Sequence, residues 1–156
     1  MNSSNITEVV YKSLQEEFDT LNWAIYPNRE KLNKYHLPFA NIELGEFDHI
    51  DVNSDLNEVE MQFTLRLAYS DEIRDKLAMR DMALQIGCFL SSNNFKNAQI
   101  KDTTVLSNQS DEFTPDVDGY IAWEINFLVS VLFGGTIYEP NGISPEFELE
   151  IVENAN

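Results

Sequence analysis

Few residues in this chain carry the chemistry of a reaction centre. Its 156 residues include two histidines, His36 and His49, and one cysteine, Cys88. Neither histidine has a neighbouring ligand at metal spacing, so a zinc site is not expected. Both read as solvated loop side chains. Cys88 falls in the most apolar run, "MALQIGCFL" (82–90), and reads as a buried structural thiol rather than a nucleophile. No Gly-x-Ser-x-Gly, no Ser, His and Asp arrangement and no Gly-rich phosphate loop stands out. Asp51, Asn53, Asp55 and Asn57 alternate like the start of a calcium loop. The sixth position is Leu56 where that loop needs Gly, and the twelfth is Gln62 where it needs Glu. The segment also leads into a strand, so a polar hairpin loop is the expectation. Asp116 and Asp118 could in principle share acid and base work. On a chain with 27 acids such pairs arise freely, and a solvated acidic loop is expected. The reading is therefore no enzyme, no metal and no cofactor.

The charge speaks more clearly. Ten Lys and Arg stand against 27 Asp and Glu, for a net −17. Residues 102–156 contain no base and hold eleven of the acids. Such a chain does not bind nucleic acid non-specifically, because that takes cations to release counterions. It does not dock on anionic membranes either. At 43% hydrophobic and 12% aromatic it can still bury a core, and its length fits one domain. A single cysteine excludes an intrachain disulfide and fits a reducing compartment. The N-terminal "MNSSNITEVV" lacks the basic and apolar regions of a secretion signal. No apolar run approaches the roughly 20 residues that span a bilayer. A soluble cytosolic product is expected.

The elements that must position these residues follow from periodicity. Residues 5–20 read as a helix capped by Asn5, with Glu8 three residues later and Ile6, Val9, Val10, Leu14 and Phe18 on one face. "NWAIYP" (22–27) reads as a short strand. A basic loop (28–37), a strand (38–47) with Ala40, Ile42 and Leu44 on one side, and a loop (48–57) follow. "EVEMQFTLRLAYS" (58–70) alternates cleanly. Residues 70–94 read as a helix capped by Ser70 or Asp71 and ended by Asn93 or Asn94. Its second half is apolar nearly all round, as expected of a helix covered on more than one side. A weaker strand (98–107), an acidic loop (108–119) and the strand "GYIAWEINFLVSVLFGG" (119–135) complete the domain. The predicted fold is α+β, with a mainly antiparallel four- to five-stranded sheet and both helices on one face, in the order α-β-β-β-α-β-β. The domain spans 1–135, and an extended acidic arm spans 136–156.

The last strand poses a question. Its odd residues from Ile121 to Phe133 are all apolar and belong in a core. Its even residues mix Glu124 and Asn126 with Leu128 and Leu132, neither a clean core nor a clean surface. Cover by the domain's own loops and a subunit contact both fit. The arm favours contact: "EFELEIVE" (146–153) alternates Phe147, Leu149 and Ile151 with acids and needs a groove or a sheet edge. Folding back onto its own domain is the alternative.

The N-terminal helix, "WAIYPNRE" with its Tyr-Pro pair, "LPFANIELGEF", the alternating "VEMQFTLRLAYS", the long helix and "YIAWEINFLVSVLFG" together resemble a known family. In element order and segment texture, residues 5–135 are similar to the tail terminator (tail completion) proteins of long-tailed bacteriophages and prophages, above all the Mu-type members. The arm has no counterpart in that likeness. The resemblance implies an α+β subunit of a ring, usually a hexamer, in the tail or neck of the virion. Such a ring caps the tail tube, ends its polymerisation and offers the surface where the head docks. Implied partners are further copies of itself, the tail tube protein and a head–tail connector or neck protein. DNA would pass without being bound, since carboxylates repel phosphates. Related folds occur in tail tube and neck proteins, which leaves another tail or neck component as an alternative. A head-to-tail ring needs two different complementary patches per subunit. Candidates are the helix end at Met82, Ile86, Phe89 and Leu90, the strand pair Glu124 and Asn126, and the arm residues Phe147, Leu149 and Ile151. The rival reading is an acidic DNA mimic that inhibits a DNA-binding enzyme.

Overall fold

Alternation with period two builds the centre of the sheet. The computed structural model describes residues 3–24, 37–50, 56–111 and 120–134. Helix α1 (Ser3–Glu17) is followed by strands β1 (Asn22–Ala24), β2 (Phe39–Ile50) and β3 (Leu56–Ser70), helix α2 (Ile73–Leu90) and strands β4 (Ile100–Ser110) and β5 (Tyr120–Gly134). They form one five-stranded sheet in the order β1-β2-β3-β5-β4. The fold is the expected α+β, with one addition. β1 pairs with β2 in parallel, so the sheet is mixed, while all other pairings are antiparallel.

The longest ladder joins β3 to β5, in unbroken register from Leu56↔Gly134 to Ser70↔Tyr120. It brings the odd residues of both strands to one face. Met61, Phe63, Leu65 and Leu67 meet Ile125, Phe127, Val129 and Val131 there, all fully buried. The Phe63 and Phe127 rings stack at 5.3 Å, and each contributes about 3 kcal/mol of burial. Ile6, Val10, Leu14 and Phe18 of α1 and its end, with Met79, Ala83, Ile86 and Leu90 of α2, join the same core cluster. Both helices therefore lie on one face.

Boundaries differ from the sequence reading in instructive ways. α1 begins at Ser3, so Asn5 lies inside the first turn rather than at the cap. β3 runs through Ser70, which leaves Glu72 as the N-cap of α2. It makes no side-chain cap bond, and its own N–H donates to the Ser70 Oγ at 3.3 Å. α2 ends at Leu90, and Asn93 and Asn94 form the turn beyond it. There Asn93, Asn94 and Asn97 each accept an N–H from two residues on, the local bond that lets Asn build turns. β2 and β4 each carry bulges, between Leu44 and Phe47, Ile100 and Asp102, and Val105 and Ser107. A bulge breaks the alternation that sequence periodicity relies on.

Candidate functional site

The face of the sheet turned away from the helices carries the even residues of β3 and β5. Arg66 of β3 stands at its centre. Its guanidinium meets Glu43 of β2 at 2.7 Å, Glu124 of β5 at 3.2 Å and Asp111, just after β4, at 3.6 Å. Burial works against the Arg66 charge. The hydrogen bond and field of Glu43, then those of Glu124 and Asp111, outweigh it and hold the group above its ordinary value. Three carboxylates face one guanidinium, so the cluster stays negative.

The network continues through the second residue singled out on β5. Asn126 donates through Nδ2 to Glu124 at 3.0 Å and to the Ser107 Oγ at 2.9 Å. Its Oδ1 accepts from the Thr64 hydroxyl at 2.6 Å. The structure thus brings Glu124 and Asn126 into one polar band that crosses β2, β3, β5 and β4. Their mixed apolar and polar setting, which periodicity left unexplained, is cross-strand pairing on a helix-free face. Leu128 and Leu132 on the same face are half-buried. The Arg66, Glu43 and Thr64 partners were not singled out in the sequence. Their signal was the polar phase of the β3 alternation, but register alone decides which of those residues meet.

The helix-end candidates divide. Ile86 and Leu90 are fully buried in the chain's own core, so their side chains are already covered from within. Met82 and Phe89 are half-buried and pack against that core. α2 is buried along one arc only, although its outer arc is apolar as well. Its buried arc is Met79, Ala83, Ile86, Gly87 and Leu90. Its outer arc exposes Ile73 (80%), Leu77 (59%) and Leu84 (64%). Cys88 lies on that outer arc and is exposed, which corrects the expected buried thiol. The apolar neighbours of Cys88 in sequence point to different sides of the helix.

A groove of about 570 Å³ runs between this outer arc and the sheet edge, lined by Leu77, Arg80, Asp81 and Leu84 of α2, Asn108 of β4 and Trp123 of β5. A second depression shares Arg80 and Trp123 and extends to Lys76, Ser110 and Tyr120. Asn108 fixes the floor. It donates to the Ala83 carbonyl at 3.0 Å and accepts from the Trp123 indole N–H. A different apolar patch lies near the opposite edge, where Leu44 and Phe47 of β2 are 39% and 45% exposed. Both pair with buried residues of β3, Phe63 and Met61, so they lie on the helix side of the sheet. Ala40, Ile42 and Leu44 share that side as the alternation implied, but Leu44 is partly exposed where Ala40 and Ile42 are buried.

His49 is exposed, on β2 rather than in a loop. His36, the acids Asp51, Asp55, Asp116 and Asp118, Asn53, and the arm with Phe147, Leu149 and Ile151 lie outside the described residues. Among the described residues no cluster of three metal-ligand side chains occurs, and no helix is long and apolar enough to cross a membrane. A scan of protein-family models finds none that matches this chain, and a search of curated proteins finds no match.

Proposed function

We propose that the protein is a structural subunit of a head-to-tail ring, of the kind the tail terminator resemblance implies. The carrying observation is a pair of unlike apolar patches on one small acidic domain. One is Leu77 and Leu84 beside β4, and the other is Leu44 and Phe47 on β2. β4 ends the sheet on one side, and β2 is next to the end on the other. A closed ring joins two different surfaces of identical subunits, and patches near opposite edges meet that need. A dimer that used one patch twice would leave the other exposed.

In this reading the ring caps a tail tube and meets a head–tail connector. The acid-rich, helix-free face around Arg66, Glu43 and Glu124 belongs to surface that DNA passes without adhering. The function needs no catalysis and no cofactor. The DNA-mimic alternative accounts for the charge but gives the exposed Leu77, Leu84 and Phe47 no role.

The test is molar mass by light scattering after size exclusion at moderate salt, followed by imaging of any large species. A ring of about six copies with a central hole is expected. Phe47→Glu and Leu84→Glu, each at an exposed site, should separately reduce assembly while leaving the circular dichroism unchanged. A monomer at every concentration, with or without purified tail tubes, would sink the reading.

A further inference from the structure

Among the described residues, Arg66, Arg74 and Lys101 are paired with carboxylates, and Lys76 and Arg80 of α2 are not. In a chain of net −17, two bases without such a partner call for an explanation. Glu72, one turn before Lys76, meets Arg74 at 3.8 Å instead. Asp81 lines the groove beside Leu77 and Leu84 but not the second depression, which Lys76 and Arg80 share. Four residues apart on a helix, the two bases are neighbours, about 5–6 Å apart at their Cβ atoms, and they repel each other. An anion held between them removes that repulsion.

The depression encloses about 330 Å³ between α2 and the ends of β4 and β5, within the range of small-molecule sites. Met79, Ile121 and Trp123 give it an apolar lining. The Trp123 indole N–H is committed to Asn108, which leaves the ring as a flat wall rather than a donor. Ser110 and Tyr120 add hydroxyl-bearing residues to the lining.

Charge selects the ligand. Among the described residues that line the depression, Asp111 is the one acid. Its side chain is 8% exposed and faces Arg66 at 3.6 Å, so it is turned away from the two bases. Lys76 and Arg80 supply only donors, which an oxyanion accepts, and a guanidinium grips a carboxylate through two parallel bonds. A phosphate monoester carries close to two negative charges at neutral pH and meets the repulsion of a −17 chain more strongly than a single charge does. The apolar lining asks for an apolar body, flat enough to lie on an indole.

We infer that this depression binds a small carboxylate with a flat apolar body, its carboxylate held between Lys76 and Arg80 and its body against Met79, Ile121 and Trp123. The inference goes beyond the ring reading and does not rest on it. Arg80 and Trp123 also line the groove beside Leu77 and Leu84, so the bound anion borders that patch.

The test is equilibrium dialysis of the full chain with naphthoate, which counts bound ligand whatever the assembly state. Saturation near one naphthoate per chain is expected. Lys76→Gln and Arg80→Gln should each weaken binding at least about fivefold, and both sites are exposed, so the core is spared. Arg74→Gln removes the same charge from the same helix but outside the lining, and should leave the affinity within about twofold. The matched cation, naphthylmethylammonium, should not bind, and naphthyl phosphate should bind more weakly than naphthoate. Absence of saturable naphthoate binding overturns the proposal, as does binding that Lys76→Gln and Arg80→Gln leave unchanged. Equal or tighter binding of the cation or of naphthyl phosphate overturns the choice of a carboxylate.

Discussion

Arg66 shows how one guanidinium can hold three carboxylates of an acid-rich sheet face together. Its side chain is 26% exposed, so its pairings are screened less than surface ones. Arg66→Met should lower the free energy of unfolding by roughly 1–3 kcal/mol, because Glu43, Glu124 and Asp111 are left facing each other. Urea titration measures this, and the loss should shrink in high salt. Tyr69 offers a second test. Burial, helped by the charge of Asp75, pushes its hydroxyl up to about 12. The unfolded chain releases that proton near pH 10. Above that the unfolded state binds fewer protons than the folded one, so stability falls as pH rises from about 10 to about 12. Urea midpoints at pH 9 and pH 11.5 should show the fall, and Tyr69→Phe should remove part of it.

Among the elements, α2 meets β4 through Gly87. A Cβ there would lie 2.7 Å from the Asn108 Nδ2, so Gly87→Ala pushes Asn108 off both the Ala83 carbonyl and the Trp123 indole. The helix gains about 1 kcal/mol from alanine and loses two hydrogen bonds of about 1 kcal/mol each. A net loss of roughly 1 kcal/mol is expected, with altered Trp123 emission. In an Asn108→Ala background the same change should instead stabilise by about 1 kcal/mol, a double-mutant cycle that isolates the contact. Such contacts explain what the sequence made legible and what it hid. The β3 and β5 strands were readable because both alternate without a bulge. β2 and β4 were placed less well because bulges at Leu44–Phe47 and Val105–Ser107 shift the phase. The α2 "MALQIGCFL" run is apolar nearly all round, as read, but composition does not say which side is covered: Leu84 and Cys88 are exposed while Ile86 and Leu90 are buried. Glu124 and Asn126 were legible as polar residues in an otherwise largely apolar strand. Their partners Arg66, Thr64 and Ser107 were not, since local sequence does not state the register between separate strands, whether 19 residues apart as for Ser107 or about 60 as for Arg66 and Thr64.

At the scale of the molecule, charge governs association. With a net −17, copies repel one another beyond the contact distance, and salt shortens that repulsion to about 8 Å near physiological strength. Assembly should therefore strengthen between 20 and 300 mM NaCl, followed by light scattering, and no binding to duplex DNA should appear in anisotropy at either end. The sheet order has a further consequence, in time rather than in space. β5 is the last described strand in the chain, yet it lies between β3 and β4. The β3 surface with Met61, Phe63, Leu65 and Leu67 has no partner on that side until residues 120–134 have been synthesised. Its pairings close loops from Ser70–Tyr120 up to Leu56–Gly134, and such distant contacts slow folding toward milliseconds to seconds. A nascent chain halted before Tyr120 thus displays two unsatisfied strand edges at once, and the ribosome must deliver nearly the whole domain before its sheet can close.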